Sequence, residues 1–78
     1  MDRNHATQKF RSIVANVLEI PEADITDTKT FKALGADAMA IDSIHLRTEE
    51  AFDIASSDTL FDGIDTVGKA IDMIVKKA

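Results

Sequence analysis

The sequence predicts an all-α fold, a small bundle of three main helices with a short helix in third place. Apolar residues recur at increments of three and four near both ends of the chain, the mark of helices that bury one face. No segment reads as a credible strand. The 78 residues point to a single domain over 1–78, and a hydrophobic share of 45% supplies one core. With four Phe and neither Trp nor Tyr, that core is expected to be largely aliphatic.

The first helix is expected over residues 5 to 20. Phe10, Ile13, Val14, Val17 and Leu18 form its stripe, which leaves Lys9, Arg11 and Asn16 to solvent. Asn4 or Thr7 is placed to cap its start. Pro21 should end it, because the residue before a proline is pushed out of the helical region. Residues 21 to 37 then lose the helical period. Asp24, Thr26, Asp27 and Thr28 bond their own backbone in competition with helix, and Ile25, Phe31 and Leu34 are expected to pin this long loop onto the core. Loops of that length in small domains are often functional. Gly35 permits a turn with positive φ.

Asp37 is a good N-cap for a second helix running to about Phe52. Its apolar positions are Met39, Ile41, Ile44, Leu46, Ala51 and Phe52, interrupted by Asp42, Arg47 and Thr48. Residues 55 to 58 read as a turn, and Thr59-Leu60-Phe61 as a short helical turn broken by Asp62-Gly63. Asp65 or Thr66 caps a last helix with Val67, Ala70, Ile71, Ile74 and Val75 on one face. Asp65 near its start and Lys76-Lys77 near its end both complement the helix dipole.

Charge and composition exclude several functions. A formal charge of −5 disfavours nucleic-acid binding, which needs Lys and Arg against phosphates; it suits a partner with a basic docking patch. The absence of Cys removes disulfides and thiolate metal sites. His5 and His45 have no companions at metal-ligand spacing and read as surface residues, so no metal site is expected. No apolar run nears the roughly 20 residues of a membrane span, and the polar start has no signal-peptide core. A cytoplasmic monomer is the expectation. No nucleophile motif, phosphate-cradling Gly loop or Cys–His pair points to an enzyme.

Three fragments, in order and without gaps, carry a resemblance. Phe31-x-x-Leu34-Gly35-Ala36-Asp37 resembles the approach to the attachment site of acyl carrier proteins, where "LGADSL" sets a serine at a helix start. Glu49-Glu50-x-Phe52-Asp53-Ile54 resembles the "EEEFDI" that ends their second helix. Ile64-Asp65-Thr66-Val67-Gly68-x-Ala70-Ile71-Asp72-x-Ile74 resembles "ITTVGDAVDYI" of their last helix. Counting back from Phe52 and forward from Leu34-Gly35 both put Ala38 where the family has its serine. Departures cluster nearby: Ala40 stands where an acid is common, while Asp42, Arg47 and Thr48 stand where apolar residues are usual. A specialised carrier fits these better than the housekeeping one of fatty-acid synthesis.

The resemblance implies a four-helix carrier that tethers acyl intermediates as 4′-phosphopantetheine thioesters in fatty-acid, lipid or polyketide-type synthesis, with the thiol doing the chemistry. Its implied partners are a phosphopantetheinyl transferase and acyl synthases or acyltransferases with basic docking patches. In the family the serine hydroxyl attacks coenzyme A, and an alanine methyl has no such oxygen. Ala38 therefore implies an unloadable apo form. It reads as an introduced Ser→Ala change, as a naturally unmodified paralogue, or as a sign that attachment has moved to Ser43, since Asp42-Ser43-Ile44 mimics the motif. Ser43 lies about 7.5 Å further along the helix and roughly 500° around it, so a solvated helix serine is the preferred reading. Asp37 is assigned as N-cap and, by resemblance, as orienter of the transferase's metal and coenzyme. Met39 is either an apolar partner contact or core. Asp42, Arg47, Glu49 and Glu50 are the candidate docking residues. The alternative function is a non-catalytic acidic interaction or regulatory module that is never pantetheinylated.

Overall fold

The computed structural model describes residues 2–54 and 63–77. In chain order it holds α1 (Arg3–Leu18), a 3-10 turn (Glu22–Asp24), α2 (Ala38–Phe52) and α3 (Val67–Lys77). Among the described residues the only extended pairing is an isolated antiparallel bridge between Thr30 and Thr66. The all-helical expectation holds. The turn expected at 55–58 and the short helix at 59–61 lie outside the described residues.

α1 starts and stops earlier than its apolar stripe suggests. Asp2, not Asn4 or Thr7, is its cap: Oδ1 accepts from the Asn4 N–H at 3.3 Å. The cap needs an acceptor just outside the first turn, and Asn4 and Thr7 lie within the helix. Pro21 acts at one remove. It forbids helix at Ile20, and the chain leaves α1 through Glu19 in the left-handed region at φ 56°. Ala6, Phe10 and Val14 are buried, with Ile13, Val17 and Leu18 packed around them.

The long loop carries more order than its composition suggests, because its carbonyls find backbone partners in the 3-10 turn and at the start of α3. Ile25 and Phe31 are buried and Leu34 half-buried, as expected. The Phe31 ring meets Phe10 edge-on, centroids 6.2 Å apart and planes at 84°, an arrangement the ring quadrupole favours. α3 buries Val67, Ala70, Ile71 and Ile74. Its cap is Thr66, whose Oγ1 accepts from the Lys69 N–H at 3.3 Å. Asp65 instead takes a bond from Lys69 Nζ at 3.2 Å, and that lysine holds its carboxyl below the usual aspartate range.

The core is where these faces meet, joined by Ile44 and Phe52 of α2. Burying one such side chain is worth roughly 1.5–3 kcal/mol. Two cations of the outward side also tie elements together, Lys9 while remaining exposed as expected. Lys9 donates to the Ala51 carbonyl at 2.7 Å and stands 5.2 Å from the Phe52 ring centre. Arg11, half-buried, donates to the Glu22 carbonyl at 2.6 Å.

Candidate functional site

The site is built where the loop turns into α2. Thr30 Oγ1 accepts from the Ala33 N–H at 3.0 Å, and the Thr30 carbonyl accepts from Leu34 at 3.2 Å. Gly35 N–H donates to Lys32 and Ala36 N–H to Phe31, both at 3.0 Å. Gly35 turns the chain at φ +87°, a conformation an L side chain resists. Asp37 follows with extended backbone, and its Oδ1 accepts from the Ala40 N–H at 2.8 Å. The short acid thus closes one of the N–H groups that every helix start leaves open.

Ala38 is the first helical residue and is exposed, and Met39 beside it is 79% exposed. Met39 is therefore not part of the core. Leu46, another of the apolar positions of α2, is 57% exposed as well. The two lie seven residues apart, about 10.5 Å along the axis, on the face that also carries exposed Asp42, Ser43 and Glu50. Arg47 is exposed at the flank, where its Nη1 donates to Asn16 Oδ1 of α1 at 2.9 Å.

Glu49 does not join this face. It is buried, at 9% exposure, and its Oε2 lies 3.5 Å from Nε2 of His45 one turn earlier. His45 is itself half-buried rather than a surface residue. Thr48 is wholly buried, its hydroxyl donating to the Ile44 carbonyl at 2.7 Å. The signal for Thr48 was present in the spacing: Ile44, Thr48 and Phe52 follow one another every four residues down the inner face. A Thr sheds its polarity there by bonding back to its own helix.

Chemically, the start of α2 offers an ordered, exposed first turn without a nucleophile at residue 38. The hydroxyl that α2 exposes is that of Ser43, about 7.5 Å further along the axis and on another side of the cylinder. Among the described residues no group of three or more His, Asp or Glu could hold a metal ion. Among them, too, no helix is long and apolar enough to cross a membrane. A hollow of about 370 Å³ opens against the loop, lined by Ile20, Asp24, Thr26, Lys29 and Leu34 among others.

Residues 8–74 match the family model described as "Phosphopantetheine attachment site". Over 78 residues the chain is 35% identical to an "Acyl carrier protein" of Prochlorococcus marinus (strain MIT 9515), covering 99% of this chain and 98% of that one.

Proposed function

We propose, because this chain belongs to the phosphopantetheine attachment site family, that it is an acyl carrier scaffold whose loading position is Ala38. The prosthetic group of this family is 4′-phosphopantetheine, and the protein carries rather than catalyses. The residue at position 38 does not fit that group. A methyl has no lone pair to form the phosphodiester, so the chain as it stands is an apo carrier. We further take it to be a single domain over 1–78 and a cytoplasmic monomer.

The observation that carries the reading is the Asp37-capped start of α2, which exposes residue 38 on an ordered first turn. The face beyond it supports a docking role. Met39 and Leu46 offer two apolar contacts flanked by Asp42 and Glu50, a pattern suited to a partner with apolar recesses and basic residues around them. Transferases, synthases and acyltransferases with basic patches are the partners this implies. Fatty-acid, lipid or polyketide-type synthesis is the setting.

The test is an intact mass after incubation with coenzyme A, magnesium and a broad-specificity phosphopantetheinyl transferase, for this chain and for Ala38→Ser. A gain of one phosphopantetheine in the serine variant alone is expected. A gain on the unaltered chain would move attachment to Ser43 or another hydroxyl. No gain on either would favour an interaction module that carries nothing.

A further inference from the structure

The loop that ends at position 38 is fastened at its other end to the first turn of α3. Helix starts leave N–H groups without partners, and here loop carbonyls take them. The Val67 N–H donates to the Lys29 carbonyl at 3.0 Å and the Gly68 N–H to the Asp27 carbonyl at 2.8 Å. In return the Phe31 N–H donates to the Asp65 carbonyl at 3.0 Å, beside the Thr30–Thr66 bridge.

The approach leaves no room for a side chain at residue 68. A Cβ there would stand 2.9 Å from the Asp27 carbonyl oxygen and 3.2 Å from the Asp27 Cβ. Gly68 is needed for what it lacks, not for unusual rotation. Arg3 of α1 ties the same joint from outside, its guanidinium donating to Asp27 at 3.3 Å and to Asp72 of α3. From Thr30 the backbone bonds described above run on to Ala36, two residues short of Ala38.

We infer that Gly68 is a positioning residue for position 38, with Arg3 as a second tie: α3 holds the loop at Asp27–Lys29, and the bonded loop transmits that placement to the start of α2. The inference rests on the reading of residue 38 as the loading position, and adds that its pose is set partly from α3. A displacement of about 1 Å at a reacting centre can cost up to ~10²-fold in rate.

The primary experiment follows backbone amide shifts and hydrogen exchange in the unaltered chain, in Gly68→Ala and in Arg3→Gln. Gly68→Ala should perturb the amides of 37–40 as well as those of 26–31, and Arg3→Gln should do the same more weakly. Should Gly68→Ala fail to fold, Arg3→Gln decides alone. Perturbation confined to 26–31 and 66–70 would overturn the inference, leaving Asp37 and α2 to set position 38 by themselves. In the Ala38→Ser chain, Gly68→Ala should lower the transferase's kcat/KM roughly ten-fold. Val75→Ala, a truncation near the far end of α3, should leave it unchanged, and equal losses in the two would also overturn the inference. A serine variant left unmodified with Gly68 intact would instead sink the carrier reading, and the amide measurement would then decide the coupling.

Discussion

Asp37 shows how much one side chain sets here. Its carboxylate closes the Ala40 N–H and makes Ala38 the first helical residue rather than the last of the loop. Asp37→Ala should cost about 1 kcal/mol, and Asp37→Asn only a few tenths, since the amide oxygen still caps. Denaturant midpoints check this, and equal losses in both would mean that the charge and not the hydrogen bond matters. Ala38 itself suits the first turn, because Ala is the best helix former. Thr48 and Glu49 make the complementary point. Both are polar and both are buried, Thr48 because it bonds its own helix and Glu49 because it meets His45.

Among the elements, the helices with clean periodicity were legible and the contacts between them were not. Phe10, Val14, Ile71 and Ile74 declare α1 and α3 by spacing alone. α2 was legible in its bounds, through Asp37 and Phe52, yet not in which of its sides is exposed. Ile41, Ile44, Ala51 and Phe52 do turn inward, but Met39 and Leu46 are apolar and face out, so residue type alone did not define the buried side. Glu49 seemed a docking acid for the same reason: sequence gives the residue type, while rotation about the axis gives its surroundings. The loop's attachment to α3 was illegible because it is made of backbone, except for the one trace of Gly68. α3 carries its own pH signature. Lys69 depresses the Asp65 carboxyl below its ordinary value of 3.8, so the stability it contributes is present above that value and lost as pH falls through the lower folded one. Asp65→Asn should therefore be the less stable chain at neutral pH, with its denaturant midpoint converging on that of the unaltered chain below pH 3.8. Parallel midpoint curves would contradict the pairing.

For the whole molecule, the placement of charge matters more than its total. Residues 37–65 hold eight acids against the single base Arg47, while the flanks are balanced or basic. Such a concentration attracts a basic partner and repels itself. Salt shortens its reach from about 30 Å at 0.01 M to about 10 Å at 0.1 M. The melting temperature should consequently rise with sodium chloride over that range, since exposed pairs such as Arg3–Asp27 lose little on screening. A gain of 1 kcal/mol would read as roughly 4–8 °C, and a flat or falling melt would place the repulsion below the worth of the surface pairs. The ends of α1 and α2 show the same tension in the backbone. Glu19 and Asp53 each adopt the left-handed conformation, at φ 56° and 54°, where glycine is at ease and other residues are strained. Each also sets a carboxylate at the helix end whose dipole disfavours negative charge. Viewed as a substrate for evolution, the chain holds two unspent reserves: positions where a change to glycine would exchange charge for robustness and leave the exposed face of α2 intact for new partners to be tried.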